Sequence, residues 1–89
     1  MTADTASRAD QMRRILVEVL GVPEATAAGL DAASPLFGAL PEIDSMAVAG
    51  LLTEMEDRFG IVIDDDEVDA DLFATFGNLV DFIARKAAA

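Results

Sequence analysis

Between residues 21 and 43, Gly21, Gly29 and Gly38 alternate with Pro23, Pro35 and Pro41, and no long helix survives that punctuation. On either side of it, apolar residues recur at helical spacing. Met12, Ile15, Leu16, Val19 and Leu20 form one stripe, opposite Arg8, Asp10, Arg13, Arg14 and Glu18. This predicts a helix from about Thr5 to Leu20, capped by Thr2, Asp4 or Thr5 and stopped by Gly21 ahead of Val22-Pro23. Val48, Leu51, Leu52, Met55 and Phe59 predict a second helix from Ser45 to Phe59, ended by Gly60. The punctuated segment leaves room for a turn or two of helix over Glu24 to Leu30. Its residues Leu30, Leu36, Phe37, Leu40 and Ile43 would anchor it back over the core. Further on, Ile61-Val62-Ile63 reads as a short, buried, extended piece. Asp64 to Leu72 reads as a turn leading into a short acidic helix, with Val68, Leu72 and Phe73 turned inward. Thr75 is a good N-cap for a last helix, Phe76 to about Lys86, with Phe76, Leu79, Val80 and Ile83 on the core side. Arg85 and Lys86 fall in its last turn, where positive charge suits the helix dipole. No period-two strand and no internal repeat is present. The expected fold is all-α: one domain over residues 1–89, a small bundle of three main helices plus one short helix, with a long loop between the first two main helices. Residues 1–4 are expected to be disordered and 87–89 frayed.

Composition limits what such a bundle can do. The chain has 89 residues, 53% of them hydrophobic, which is enough for a core and too apolar for a disordered acidic tail. Cys and His are both absent, so Ser/His/Asp and Cys/His nucleophile systems, His/Cys zinc sites and disulfides are all excluded. A stand-alone enzyme is disfavoured. Six basic residues against seventeen acidic ones give a net charge of −11. That surface repels phosphate backbones and anionic lipid headgroups and attracts basic protein surfaces. No apolar run approaches the ~20 residues that cross a bilayer. Met1-Thr2-Ala3-Asp4 lacks the basic and apolar regions of a signal peptide. The expectation is a soluble cytoplasmic monomer that binds no nucleic acid and does not insert into membranes.

The most informative point is the junction Asp44-Ser45-Met46, where the long loop meets the second main helix. Asp or Ser before an apolar-periodic run is the ordinary N-cap. A capping box would place Glu or Gln three residues after the cap, but Ala47 and Val48 stand there. The first turn therefore carries no carboxylate, and an anion arriving there meets free N–H groups and the positive end of the dipole. A phosphate ester on the Ser45 hydroxyl suits that position. Met46, Ala49, Gly50 and Thr53 add a smooth face without long charged side chains, fit for a partner or an acyl chain.

These residues, in this order, resemble the acyl carrier proteins and related phosphopantetheine-binding carrier domains. The likeness runs from about Met12 to Ile83. It includes Ser34-Pro35-Leu36-Phe37, the Asp-Ser-Met motif, the run from Leu51 to Ile61 and the acidic segment after it. The resemblance implies a 4′-phosphopantetheine arm from coenzyme A, attached covalently to Ser45 by a phosphopantetheinyl transferase, with Asp44 as the adjacent motif residue. Acyl groups would ride on the arm's thiol as thioesters, so the reactive sulfur missing from the chain would come from the cofactor. The carrier itself would catalyse nothing. It would present its cargo to acyl-loading and acyl-consuming enzymes of fatty-acid, polyketide or other specialised biosynthesis, through basic or apolar docking surfaces. Ile43, Val48, Leu51, Leu52 and Met55 would either pack as core or part to shelter the acyl chain; helical periodicity favours packing.

One departure bears on pathway. Freestanding fatty-acid carriers of this family usually have acidic residues soon after the modified serine, where this chain has Ala47 and Gly50. The family's electrostatic docking site carries over only to Glu54, Glu56 and Asp57. The apolar start of the helix looks more like specialised carriers, including bacterial ones found with exosortase systems. Two other readings remain on the residues alone. An acidic helical adaptor without a covalent cofactor would use Asp44 and Ser45 only as caps. A calcium site in Asp64-Asp65-Asp66-Glu67 with Asp69 and Asp71 fails the EF-hand spacing in every register, so no metal site is expected and the carboxylates read as caps and solubilising charge.

Overall fold

The structure is a computed structural model that describes the backbone of residues 5–88 and the side chains of residues 8–87. Its elements are α1 (Thr5–Leu20), α2 (Glu24–Ala28), α3 (Ser45–Phe59), a 3-10 turn (Asp65–Glu67) and α4 (Phe76–Ala88). No strand occurs among the described residues, where β-pairing is limited to an isolated bridge between Pro35 and Thr75. The all-α expectation holds. The caps assigned to Thr2 and Asp4, the disorder of 1–4 and the fraying of residue 89 lie outside the described residues. No described helix is long and apolar enough to cross a membrane.

Local chemistry sets the helix ends. Gly21 (φ 74) and Gly60 (φ 64) take left-handed conformations after α1 and α3, which only glycine adopts without strain. The N–H of Gly21 then reaches the Val17 carbonyl and that of Val22 the Leu16 carbonyl, both at 3.2 Å. α4 opens on Thr75, whose hydroxyl accepts from the Asn78 N–H at 3.1 Å. The expected short acidic helix is instead a single 3-10 turn. Consecutive aspartates are poor helix formers with like charges, and none of the three residues in the turn is buried to favour a longer helix. The short α-helix of the bundle is α2, inside the first connection.

Packing joins α1 to α3, α4 and α2. Met12, Ile15 and Leu16 of α1, Leu51 and Met55 of α3, and Leu79 and Ile83 of α4 are fully buried. So is Leu36 from the loop. An ion pair of 2.7 Å between Glu18 and Arg58 joins the last turns of α1 and α3, so the two helices run the same way. The connection from residue 21 to 44 must therefore travel back along the bundle, which explains its length.

On that return the loop pairs with the chain that enters α4. Phe76 N–H donates to the Ser34 carbonyl at 2.8 Å and Gly77 N–H to the Ala32 carbonyl at 3.0 Å. In the opposite sense, Leu36 N–H reaches the Ala74 carbonyl at 3.3 Å and Phe37 N–H the Phe73 carbonyl at 3.0 Å. Successive side chains of such an extended strap point to opposite sides. Leu36 therefore enters the core while Phe37, expected as an anchor, is 52% exposed. The same alternation corrects Val62, which is 71% exposed between the inward-facing Ile61 and Ile63.

Arg13 also departs from the expected solvent-facing role. Its guanidinium donates to the Leu30 carbonyl at 2.7 Å and to Asp10 at 2.8 Å, and lies 5.1 Å from the Phe76 ring centroid. It thereby ties the start of the loop to α1 and α4.

The tight approach at Gly77 is directly testable. A Cβ there would lie 2.7 Å from the Ala32 carbonyl oxygen and 3.0 Å from Ala32 Cα, whereas one at Gly50 would meet nothing within 4 Å. Gly77→Ala is expected to lower unfolding free energy by about 1–3 kcal/mol. Gly50→Ala should raise it by up to about 1 kcal/mol through helix propensity. Chemical denaturation of the two variants checks both signs.

A second test concerns acid. The Glu67 carboxylate accepts from the Asp64 N–H at 2.9 Å and from Lys86 Nζ at 2.9 Å, and these bonds hold it below the usual carboxylate range. A depressed folded pKa contributes stability above the unfolded value and loses it as pH falls through the folded one. Glu67→Gln should therefore be less stable than the parent chain near pH 6, and the gap should close by about pH 3. Denaturation midpoints across that range provide the measurement.

Candidate functional site

The loop reaches α3 through Leu40, whose carbonyl accepts the Ile43 N–H at 3.0 Å, and Ile43 itself is buried. Asp44 follows in an extended conformation (φ −121, ψ −178) and is the N-cap of α3. Its side chain accepts the Ala47 N–H at 2.8 Å, and its carbonyl accepts the Val48 N–H at 3.0 Å. Ser45 is thus the first helical residue rather than the cap, with an exposed side chain. At that position the N–H groups of Ser45 and Met46 have no acceptor within the helix. The sequence placed free N–H groups here; the structure shows that Asp44 takes one of them and leaves two.

Beside Ser45 lies an open groove of about 320 Å³. Phe37 of the strap, Val48 of α3 and the segment Val68, Asp69, Ala70 and Phe73 form its walls with Ser45. Its lining is mainly apolar, with Asp69 as its charged member. The Asp69 carboxylate is engaged locally, accepting the Leu72 N–H at 3.1 Å. Phe73 is buried and Val68 packs against the core as their pattern predicts, so each only edges the groove; Phe37 alone departs from its expected core place, and Asp69 and Ala70 carry no sequence signal for this position. The available signal was Phe37, which follows the core residue Leu36 in an extended run and so had to face outward.

The residues expected to meet partners divide in two. Met46, Ala49, Gly50, Thr53 and Asp57 are exposed and share one side of α3, opposite the buried Leu51 and Met55. Met46 is 87% exposed. Thr53 turns its hydroxyl back to the Ala49 carbonyl at 3.2 Å. Glu54 and Glu56 flank this face and have internal partners. Glu54 pairs with Arg58 at 2.6 Å, and Glu56 accepts the Ile63 N–H at 2.8 Å, fixing the chain as it leaves α3. Of the core residues considered for sheltering a chain, Ile43, Leu51 and Met55 are buried, while Val48 and Leu52 are partly buried. Among the described residues no three carboxylates come together in a way that could hold a metal ion.

A family model described as a phosphopantetheine attachment site matches residues 10–83. No curated protein matches the chain. Among solved structures, a solution NMR structure of a holo acyl carrier protein from Nitrosomonas europaea superposes with a TM-score of 0.84 at 38% identity. The match covers 92% of this chain and 98% of that one. The local residues fit such a cofactor: an exposed hydroxyl, two unfilled N–H donors within the same helical turn for a phosphate, and an apolar groove beside them for an organic arm.

The division of labour between Asp44 and Ser45 gives a clean experiment. Asp44→Ala removes the cap and should cost about 0.5–2 kcal/mol. Ser45→Ala removes a hydroxyl that does not cap the helix and should leave stability within about 0.5 kcal/mol of the parent. Equal losses in the two variants, measured by thermal or urea unfolding, would contradict the assignment of Asp44 as the cap.

Proposed function

The chain belongs to the phosphopantetheine attachment-site family of carrier proteins, and from that premise we propose that Ser45 is its attachment point and that it carries acyl groups as thioesters. Covalently bound 4′-phosphopantetheine is the cofactor of this family; when bound it supplies a thiol at the end of a flexible arm. The single observation that carries the assignment to Ser45 is its place as an exposed first residue of α3, relieved of the capping role by Asp44.

In the modification, the Ser45 oxygen forms the new bond to phosphorus and loses its proton, while the adenosine bisphosphate half of coenzyme A departs. The chain's own contribution is positional. Asp44 fixes the first turn of α3, the N–H groups of Ser45 and Met46 would be available to the phosphate, and the groove walls of Phe37, Val48 and Phe73 would offer an apolar surface to the arm. The chain acts as a carrier and leaves catalysis to the enzymes it visits; what supports this reading is its membership of the phosphopantetheine attachment-site family. We read it as a single carrier domain, working as a cytoplasmic monomer. It exchanges cargo with acyl-loading and acyl-consuming enzymes of fatty-acid, polyketide or other specialised biosynthesis. What favours a specialised pathway is the absence of any ionisable side chain from Ser45 to Thr53, the stretch nearest the attachment point.

Intact-mass measurement tests the assignment. Incubated with coenzyme A and a promiscuous phosphopantetheinyl transferase, the parent chain should gain the mass of one phosphopantetheine, and Ser45→Ala should gain none. A parent chain left bare by several transferases, or a Ser45→Ala variant that is still modified, would overturn it. Mass analysis of protein from its native host should also show the acyl group carried.

A further inference from the structure

A carrier of acyl thioesters holds a reactive acyl donor within reach of its own side chains, and this chain is poor in groups that could attack one. It has no Cys, His or Tyr. Its basic residues are Arg8, Arg13, Arg14, Arg58, Arg85 and Lys86. Guanidinium groups stay protonated in proteins and offer no lone pair. Lys86 is therefore the one side chain of the sequence whose nitrogen becomes a good nucleophile on losing a proton.

The structure engages that nitrogen. Lys86 Nζ donates to both carboxylate oxygens of Glu67, at 2.9 and 3.0 Å, and the same carboxylate is fixed by the Asp64 N–H at 2.9 Å. The Lys86 side chain is only 25% exposed. Its neighbour Arg85 is exposed in the same last turn of α4. Of two adjacent cations, the one open to solvent is the one without a lone pair, and the lysine is the one that is paired. Lys86 also lies near the groove beside Ser45. With Glu67 it lines an open cavity of about 490 Å³, and Asp69 lines both that cavity and the groove. A flexible arm on Ser45 is thus parted from Lys86 by the short segment that begins at Asp69.

We propose that the Glu67–Lys86 ion pair keeps the chain from acylating itself, by withholding its single lysine amine from acyl thioesters, carried or free. The inference rests on the carrier reading of the chain. In the reaction withheld, Nζ first loses a proton to solvent and then attacks the thioester carbonyl carbon. The C–N bond forms, the C–S bond breaks, and the second proton released by nitrogen ends on the departing thiol. An ammonium donating to both oxygens of a carboxylate has no lone pair for that attack, so the pair must open as well as lose a proton.

Peptide mass mapping of Lys86 tests this. The probe in trans is a neutral acetyl thioester, S-acetyl-N-acetylcysteamine, incubated with the bare chain at about pH 8.5, where part of any free lysine amine is unprotonated. Glu67→Gln should form the Lys86 amide about fivefold faster than the parent, the factor a pair of this kind supplies. Lys86→Arg should form none. Gly77→Ala, strained at the other end of α4, should match the parent, which separates release of the amine from general loosening. In the parent itself, salt of about 1 M screens the pair without any substitution and should raise the rate. Equal rates in Glu67→Gln and the parent, no amide in either, a rise in Gly77→Ala equal to that in Glu67→Gln, or a parent rate indifferent to salt would overturn the proposal. On chains loaded at Ser45 with an acetylated arm, Glu67→Gln should lose its thioester to a hydroxylamine-resistant amide ahead of the parent, and equal lifetimes would overturn the proposal too. A parent chain that cannot be loaded overturns the Ser45 assignment instead and leaves the measurement in trans to decide the role of Glu67.

Discussion

The bundle depends on a mutual satisfaction of backbone groups between the long loop and the start of α4. A helix N-terminus leaves N–H groups without partners, and a loop crossing a bundle carries carbonyls in the same condition. Here Ser34 and Ala32 accept from Phe76 and Gly77, while Leu36 and Phe37 donate to Ala74 and Phe73. Neither segment meets its own requirement. Joined, they hold the loop in one register, which sends Leu36 into the core and turns Phe37 out beside Ser45. Gly77 is part of the same contact, because the backbone at Ala32 occupies the space a side chain would need.

The charges act as positioning devices around this contact. Exposed ion pairs are each worth little, and the stability of the chain comes from the fully buried side chains of α1, α3 and α4. The cations nevertheless stand at junctions. Arg58 draws the ends of α1 and α3 together, Lys86 holds the turn at Glu67 against the end of α4, and Arg13 gathers the Leu30 carbonyl and the Phe76 ring. With these cations committed to junctions, the neighbourhood of Ser45 is left apolar and anionic.

Much of the bundle was legible because helix limits are local. The boundaries of α1 and α3 follow from Gly21 and Gly60, the start of α4 from Thr75, and the inward faces of Leu51, Met55, Leu79 and Ile83 from their spacing. The length of the acidic helix is not legible in the sequence, because its residues have weak helix propensity and no core face, and neither signal decides between one turn and several. The place of Arg13 is not legible in the sequence, because its partners, Leu30 and Phe76, approach from other elements. Glu56 looked like a surface charge until the return of the chain brought the Ile63 N–H to it.

The sequence by itself determined that a serine hydroxyl would stand at the start of an amphipathic helix behind an aspartate able to cap it, since both facts depend on residues within one helical turn. Tertiary structure decided what surrounds that hydroxyl. The groove of Phe37, Val68, Asp69, Ala70 and Phe73 exists only because the strap from the first connection pairs with the chain entering α4. The physical reason is range. Periodicity and capping act over a few residues, whereas the strap brings together backbone groups far apart in the chain, whose loop-closure entropy is offset only once the whole bundle packs.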